Sequence, residues 1–305
     1  MQILRHATAS PVPVALSIGN FDGVHSGHQA ILNALRDRAA ARGFSPGVMT
    51  FEPHPREFFA PMKAPTRLTS LREKLELFAA TGMERVYLCR FNRKFADLGA
   101  QEFMRLMLRQ MNARLILVGD DFRFGAGRAG GLDDLRDQGF EVETLTDVLV
   151  DDVRVSSTAI RAALAAGELG RAERLLGRPY SISGHVAHGD KLGRELGYPT
   201  ANIYMRHERP PLFGIYAVKL SGLGGDLPGV ASLGVRPTTK ADGKPLLEVH
   251  LFDFNRDIYG SHVRVHFLKK LRDEAKFPDL ASLKRQIALD EQAARDFFKN
   301  EQGLD

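Results

Sequence analysis

Residues 14–28 read VALSIGNFDGVHSGH and join a short apolar run to a turn with three glycines and two histidines. The run from Val14 to Ile18 predicts a β-strand. A helix is predicted after the turn because four apolar residues share one helical face, namely Ile31, Leu32, Leu35 and Ala39. In α/β folds such a turn binds phosphates, since glycines let the backbone approach the ligand and the helix start offers free N–H groups. The segment therefore indicates an α/β unit with an anion site at this turn.

His25 and His28 lie at the predicted start of this helix. At a spacing of three residues, the two side chains can project to the same side and share one anion as hydrogen-bond donors. Two other interpretations are a pair of histidines packed in the core and two ligands of a metal site. A metal site needs a third ligand, and the neighbouring sequence offers no obvious His or acidic partner.

The first half of the chain alternates short apolar runs with longer stretches of helical period, which is typical of a parallel, Rossmann-like sheet covered by helices. Further strands are predicted at residues 47–51, 86–91, 115–118 and 140–145. Apolar stripes predict one helix through Leu71, Leu75 and Phe78 and another through Phe103, Met107 and Met111. Residues 157–176 predict one or two more helices, with a break near Gly167.

From about Pro179 the pattern changes to short strand-like runs separated by Gly and Pro, as in a small antiparallel barrel. Strands are predicted at residues 184–187, 215–220, 229–233, 247–252 and 262–267, and a C-terminal helix at 280–298. The sequence thus predicts two domains, residues 1–178 and 179–305.

Composition narrows the class of protein. Of the 305 residues, 44% are hydrophobic and 26% charged, and no stretch approaches the roughly 20 apolar residues of a membrane span. The N-terminal apolar run is short and broken by Pro11 and Pro13, unlike a secretory leader, so a cytoplasmic location is expected. Cys89 is the only cysteine, which excludes an intrachain disulfide and favours a buried structural thiol. The net charge is +5, and the basic residues are scattered among acidic ones. This distribution favours small phosphates over nucleic acid as partners.

A second motif, residues 155–161 with the sequence VSSTAIR, puts three hydroxyls and a cation at a helix start. By itself it fits an N-cap followed by a solvated arginine. Together with the His-x-Gly-His sequence, it resembles the signatures of the nucleotidyltransferase superfamily, which acts at the α-phosphate of a nucleotide. The resemblance implies catalytic roles for His28 and Arg161. The implied ATP-binding residues are Gly19, Asn20, Phe21, Asp22, Gly23, His25, His28, Ser156, Ser157, Thr158 and Arg161.

Residues 50–55, TFEPHP, and 119–125, GDDFRFG, narrow the substrate. They resemble motifs of bacterial bifunctional riboflavin kinase/FAD synthetases, and this resemblance extends over essentially the whole chain. It implies that FMN is bound by Pro53, His54, Asp121, Phe122 and Arg123.

Two features follow this motif. Where the family commonly has Gly-Asp after Arg128, this chain has Gly130-Gly131, so any contact from that acid is absent. Residues 125–130, GAGRAG, match G-x-G-x-x-G, but they do not join a strand end to a long helix. Without that context the match is weak evidence for a dinucleotide-binding fold.

In the second domain, residues 189–202 read GDKLGRELGYPTAN and space three glycines before a Pro-Thr-Ala-Asn box. Glycines free N–H groups for a phosphate, and oxygens of Thr200 and Asn202 suit magnesium, although a barrel hairpin also uses glycines. The full box resembles the riboflavin kinase signature, which implies that Thr200 and Asn202 help to hold the metal of MgATP. The implied ATP-binding residues are Gly189, Lys191, Gly193, Arg194, Gly197, Thr200 and Asn202.

Glu248 lies in residues 246–254, LLEVHLFDF, where strand alternation puts Glu248 and His250 on one side and the flanking apolar residues on the other. The resemblance implies that Glu248 contacts riboflavin and takes the proton from its ribityl 5′-hydroxyl. The alternative is a solvent-facing glutamate. Arg272 is a further candidate riboflavin contact, although with Phe277 it could merely cap and pack a helix.

The resemblance implies an α/β nucleotidyltransferase domain, a riboflavin kinase-like antiparallel β-barrel and a C-terminal helix. Such an enzyme would use ATP with Mg²⁺ twice, first on riboflavin to give FMN and then on FMN to give FAD. ATP, riboflavin, FMN and FAD are the expected partners of a monomer or weak homo-oligomer, with no nucleic acid and no membrane. The rival interpretations are a nucleotidyltransferase with another acceptor and a non-catalytic regulator.

Overall fold

The computed structural model describes residues 1–5, 8–189, 193, 197–205, 209–235 and 245–302. Its contacts divide the chain into two units. The sheet unit comprises Met1–Pro65 and Leu71–Ser157, and the barrel unit comprises Thr66–Ser70 and the chain from Thr158 onward. The helices that follow Ser157 therefore group with the barrel, whereas the boundary after residue 178 stays a prediction.

Six strands form the parallel sheet: β1 (Gln2–Leu4), β2 (Val14–Ile18), β3 (Ser45–Glu52), β4 (Arg85–Arg90), β5 (Ala113–Gly119) and β6 (Glu141–Leu145). Their order is β1-β4-β3-β2-β5-β6, and each neighbouring pair is parallel. The five predicted strands are confirmed. The edge strand β1 was missed because its three residues are too few to give an apolar period, and two of them are exposed.

The helices of the sheet unit are α1 (Ser26–Arg42), α2 (Pro55–Phe59), α3 (Leu71–Ala80), α4 (Arg93–Ala96), α5 (Ala100–Phe103) and α6 (Leu132–Asp137). A short hairpin follows, formed by β7 (Leu149–Val150) and β8 (Val153–Arg154). The predicted helix through Phe103, Met107 and Met111 differs from the structure, because a π-helical segment at Met104–Arg109 follows α5 and Met111 lies beyond it.

The sheet is buried on both faces, as expected for parallel strands covered by helices. In β2, Val14, Leu16 and Ile18 belong to one apolar cluster, which includes Met49. Ala15 belongs to the cluster on the other face, which includes Leu32 and Leu35 of α1. The predicted apolar stripe of α1 therefore packs on the sheet and fixes the helix directly after the turn that carries the histidines.

The helix α7 (Ser157–Ala165) starts at the last residue of the sheet unit and continues in the barrel unit, where α8 (Leu169–Leu176) follows it; the two helices are separated at Gly167, as predicted. Six antiparallel strands follow: β9 (Ser181–Ala187), β10 (Ala201–Met205), β11 (Gly214–Ser221), β12 (Leu227–Val235), β13 (Pro245–Leu251) and β14 (His262–Arg272). They close in the order β10-β13-β12-β11-β14-β9. The last helix, α9 (Leu280–Gln302), packs Ala294 and Phe298 against Ala217 and Phe252.

The barrel prediction is confirmed, and its five predicted strands are present. β10 was missed because it begins at Ala201 inside the Pro-Thr-Ala-Asn box, whose residues were interpreted as a ligand-binding motif and not as a strand. Among the helices of the described ranges, none has both the length and the apolar character needed to cross a bilayer.

Cys89 is buried in β4, and burial raises the pKa of its thiol to about 12. Since the thiolate is the reactive form, we expect iodoacetamide at about pH 8 to leave the folded protein unmodified and to alkylate it fully in denaturant. Intact-protein mass spectrometry measures both states. Rapid alkylation of the folded protein would contradict the burial of this strand.

Candidate active sites

The β2–α1 turn, residues 19–25, leaves the carboxyl end of β2 near the middle of the sheet. Phe21 and Val24 adopt left-handed backbone conformations with φ of 49° and 39°. This region costs a residue with a Cβ atom about 1–2 kcal/mol. Such a turn keeps its shape only when its surroundings hold it.

Side chains from other elements bind alternate carbonyl oxygens of this turn. The Ser157 hydroxyl donates to the Asp22 oxygen at 2.9 Å, and the Gln29 amide donates to the Val24 oxygen at 2.8 Å. Ser157 was predicted to bind ATP directly, but its hydroxyl proton is donated to the carbonyl oxygen of the turn. Its remaining capacity toward a ligand is as an acceptor.

The Asn20 carbonyl oxygen accepts two further hydrogen bonds. The Lys74 ammonium group donates at 2.8 Å and the Thr50 hydroxyl at 3.3 Å. Sequence reasoning missed both donors, because they lie far along the chain on α3 and β3. The sequence contains one indication that Lys74 is buried: it falls on the predicted apolar stripe of α3, between Leu71 and Phe78.

The two motif histidines lie together at the start of α1. His25 caps the helix, since its Nδ1 accepts the His28 backbone N–H at 3.3 Å. Their rings stack with centroids 3.6 Å apart. A neutral His25 therefore carries its proton on Nε2, where it can serve as a donor. In the described part of the chain, no third His, Cys, Asp or Glu joins the pair to form a metal-ligand group.

Ser156 directly precedes α7, and Ser157, Thr158 and Arg161 lie in its first turns, as the motif predicts. In the barrel unit, Arg161 donates from Nε to the Thr66 carbonyl oxygen at 2.6 Å. This hydrogen bond orients the guanidinium group and uses one of its five donors.

The three motifs of the sheet unit follow neighbouring strands. β3, β2 and β5 are adjacent and parallel, so the loops after Glu52, Ile18 and Gly119 leave the same edge of the sheet. This is the edge at which open α/β sheets bind ligands. The topology therefore brings the predicted ATP and FMN motifs to one edge.

Within the predicted FMN motifs, His54 caps α2 by accepting the Arg56 N–H at 3.1 Å, while the Glu57 carboxylate accepts the His54 N–H at 3.1 Å. Phe122 stacks on Phe124 at 5.8 Å. Asp121 is exposed and lies 3.5 Å from Arg154.

An aromatic cluster that sequence reasoning missed lies beside these loops. Ring contacts of 5.2–5.9 Å connect Phe51, Phe58, Phe59, Phe91 and Phe95. Phe59 is largely exposed at the end of the cluster. Its residues come from four separate segments, so no single motif predicts it.

Gly130 is required here for space, whereas the flexible end of the Arg123 side chain lies over Gly131. A Cβ atom at Gly131 would lie 2.6 Å from Nη1 of Arg123, and one at Gly130 would lie 2.7 Å from the Phe124 ring. Arg123 therefore lies across the site of the missing side chain. The G-x-G-x-x-G match contains only a single 3-10 turn, Ala126–Arg128, and opens no long helix.

In the barrel, the side chain of Asn202 in β10 lies directly beside Gly189, the first glycine of the motif at residues 189–202. A Cβ atom at Gly189 would lie 2.3 Å from the Asn202 amide nitrogen, so glycine is needed for this approach. Asn202 is 9% exposed, and among the described residues its Oδ1 has no hydrogen-bond partner. Gly193, Gly197 and Thr200 are described, whereas Lys191 and Arg194 lie outside the described residues.

Glu248 of β13 pairs in register with Asn202 on one side and Ser232 of β12 on the other. Directly opposed residues point to the same face with Cβ atoms about 4.5–5.5 Å apart. Leu247 and Val249 are buried on the opposite face, as the alternation predicts. The candidate base and the candidate magnesium ligand are therefore neighbours.

His250 shares this face and donates from Nδ1 to the Pro199 carbonyl oxygen at 2.9 Å. Its ring also meets Tyr198 edge-on at 5.5 Å. Through this hydrogen bond, β13 fixes the position of Pro199 at the start of the Pro-Thr-Ala-Asn box. The buried Oδ1 of Asn202, which has no partner within the described ranges, fits together with the Thr200 hydroxyl the oxygen ligands that Mg²⁺ prefers.

Arg272 forms a forked pair with Asp290 of α9, with Nε–Oδ1 at 2.9 Å and Nη2–Oδ2 at 2.7 Å. Nη1 donates to the Asp273 carbonyl oxygen, and the guanidinium lies 5.7 Å from the Phe277 ring centroid. These contacts attach α9 to β14, which agrees with the packing alternative. A contact between Arg272 and riboflavin stays a prediction.

The Arg272–Asp290 pair gives a stability prediction, because Asp290 is only 5% exposed. We expect D290N to lower the free energy of unfolding of the barrel unit by about 2–4 kcal/mol, since it weakens charge-assisted bonds to a largely buried arginine. The matched control D253N weakens the exposed Asp253–Arg295 pair. Equal urea midpoints for D290N and wild type would contradict this role.

The fold and the placement of the motifs define a class: an ATP-using transferase in which a nucleotidyltransferase-type α/β unit is joined to a riboflavin kinase-type barrel.

Comparison with known proteins agrees with this class. The FAD synthetase family model matches residues 7–159, and the riboflavin kinase family model matches residues 176–298. The bifunctional riboflavin kinase/FMN adenylyltransferase of Escherichia coli K12 is 49% identical, covering 93% of this chain and 92% of that protein. The protein of the same name from Haemophilus influenzae is 44% identical, with 94% of each chain covered. A crystal structure described as a macrolide-efflux protein from Streptococcus pneumoniae has a TM-score of 0.84 at 32% identity, covering 96% of this chain and 98% of that one.

The chain belongs to the bifunctional riboflavin kinase/FMN adenylyltransferase family, with its FAD synthetase part first and its riboflavin kinase part second.

Proposed function

We propose that the barrel unit transfers the γ-phosphate of ATP to riboflavin to give FMN, and that the sheet unit transfers the adenylyl group of a second ATP to FMN to give FAD and pyrophosphate. The observation that carries the proposal is the pairing of Glu248 with Asn202, because a candidate base and a candidate metal ligand meet across two strands. The stacked histidines at the start of α1 give parallel support in the sheet unit.

In the adenylylation reaction, an oxygen of the FMN phosphate attacks the α-phosphorus of ATP, and the bond to the bridging oxygen of pyrophosphate breaks. The FMN phosphate is already anionic at neutral pH, so the site needs alignment and charge neutralisation rather than a strong base. His25, His28 and the N–H groups at the start of α1 bind the triphosphate. Ser156, Thr158 and Arg161 hold the departing pyrophosphate.

The nucleotide has a further candidate contact in the same turn. The Oδ1 of Asn20 is buried, and in the described part of the chain it accepts no hydrogen bond. A buried polar atom without a partner costs free energy, which a donor on a bound ligand can recover. The Asn20 side chain therefore offers an acceptor to the nucleotide.

On the flavin side, Pro53, His54, Asp121, Phe122 and Arg123 follow β3 and β5 at the edge where the β2–α1 turn also lies. The neighbouring phenylalanine cluster offers an apolar surface for a planar ring. Arg123, lying over Gly131, supplies positive charge for the FMN phosphate.

In the kinase reaction, Glu248 takes the proton of the ribityl 5′-hydroxyl as its oxygen attacks the γ-phosphorus, and the bond to the β-phosphate oxygen breaks to release ADP. Thr200 and Asn202 would hold Mg²⁺, which supplies charge neutralisation to the phosphates. Gly189, Gly193 and Gly197 allow the backbone to approach them, with Lys191 and Arg194 as further cations. Arg272 is a proposed flavin neighbour through its position on β14.

The remaining parts of the proposal follow from the substrates. Magnesium accompanies ATP in both reactions, and a cytoplasmic location suits an enzyme that consumes ATP. We place the functional boundary after residue 178, close to residue 176, where the match to the riboflavin kinase family model begins.

We expect H28A to lower FAD formation from FMN by at least about 100-fold, because it removes a donor to the triphosphate, and to leave FMN formation from riboflavin unchanged. Chromatographic separation of the flavins measures both activities in the same protein. H185A, which removes an exposed histidine of β9, is the control. Equal loss of both activities in H28A would contradict separate sites.

We expect E248Q to lower riboflavin phosphorylation by about 10²–10⁴-fold, since the amide cannot accept the hydroxyl proton, and to leave FMN adenylylation intact. E291Q, which changes a glutamate on α9 that pairs with Arg295, is the matched control. A kinase rate in E248Q close to that of wild type would remove Glu248 from the role of base.

A further inference from the structure

Lys74 is a buried cation that the proposed reaction leaves without a role. It is 5% exposed on α3, and its ammonium group donates to the Asn20 carbonyl oxygen at 2.8 Å. One helical turn later, the Phe78 ring meets Phe21 edge-on at 5.4 Å. α3 therefore contacts two consecutive residues of the β2–α1 turn with one face.

The conformation of the turn depends on such contacts. Phe21, directly after Asn20, has a left-handed backbone that residues with a Cβ atom avoid. With the Asn20 oxygen bound by Lys74, the carbonyl group before Phe21 is fixed in direction. Loss of this bond would release the turn toward ordinary backbone conformations.

The Asn20 carbonyl also has a neutral donor, because the Thr50 hydroxyl binds the same oxygen at 3.3 Å. Burial of a charged ammonium group is costly compared with a neutral donor. A lysine at this position adds positive charge beside the turn, which a neutral donor would not supply.

We infer that Lys74 is a positioning residue for adenylylation: its hold on the Asn20 carbonyl keeps the β2–α1 turn in the shape that receives the phosphates of ATP. The inference rests on the proposed binding of ATP at this turn. It assigns a function to a residue outside every motif that the sequence singled out.

The test uses full-length K74M, which keeps the length of the side chain and removes its donors and charge. We expect kcat/KM for ATP in FMN adenylylation to fall about 10- to 100-fold, because a small displacement of the phosphate-binding groups misaligns the reacting atoms. The KM for FMN and the rate of riboflavin phosphorylation are expected to stay at wild-type values. Wild-type kinetics in K74M would overturn the inference.

Two further variants separate positioning from general stability. R72M removes a cation from the same helix, where Arg72 is 55% exposed and pairs with Glu76, and is expected to behave as wild type. T50V removes only the second donor to Asn20 and is expected to give the K74M pattern with a smaller change. If K74M does not fold, T50V decides, and wild-type kinetics for it would then overturn the inference.

Hydrogen–deuterium exchange of the unliganded proteins provides a readout that a merely structural role would not give. We expect faster exchange in peptides covering residues 19–25 of K74M, with β3, β4 and α1 as in wild type. Faster exchange throughout the sheet unit would overturn positioning. Wild-type kinetics with an unchanged turn would overturn the inference alone, whereas a loosened turn with a wild-type kcat/KM for ATP would contradict the proposed ATP site as well, which distinguishes the two failures.

Discussion

Backbone that binds phosphate must present its N–H groups and turn its carbonyl oxygens elsewhere, and the β2–α1 turn meets this constraint with side chains. The carbonyl oxygens of Asn20, Asp22 and Val24 each accept a hydrogen bond from a different helix. Each bond removes a partial negative charge from competition with an anionic ligand. The left-handed conformations of Phe21 and Val24 are the conformational cost of this arrangement.

The barrel solves the corresponding problem with strands. Asn202 on β10 lies beside Gly189. The neighbouring strand β13 carries Glu248, which pairs with Asn202, and His250, which donates to the Pro199 carbonyl oxygen. Closure of the barrel fixes the register of these strands, so the carboxylate and the amide oxygen keep their separation. In the proposed reactions, adenylylation uses a nucleophile that is already charged, whereas phosphorylation of a hydroxyl needs a base, which is the role proposed for Glu248.

The larger helices and strands could be predicted from the sequence because their apolar residues recur with a clear helical or strand period. The stripe of α1 and the alternation in β13 each appear in the structure with the expected face buried. β1 and β10 were missed, since one is too short for a period and the other carries motif residues. Lys74, Thr50 and the phenylalanine cluster escaped prediction for another reason: they reach the sites through tertiary contacts between segments that are distant in sequence. Arg272 was named from the sequence as a candidate flavin contact, but its ion pair with Asp290 was not predicted, because that pair depends on the packing of α9 against β14.

The most direct test of two ATP-dependent transfers on one flavin follows the phosphorus atoms. Riboflavin is incubated with the protein, magnesium and ATP labelled either in the γ- or in the α-phosphate, and the flavins are separated over time. The account predicts that the γ-label enters FMN and then FAD, whereas the α-label enters FAD alone. FAD without the γ-label, α-label in FMN, or no labelled flavin at all would contradict it.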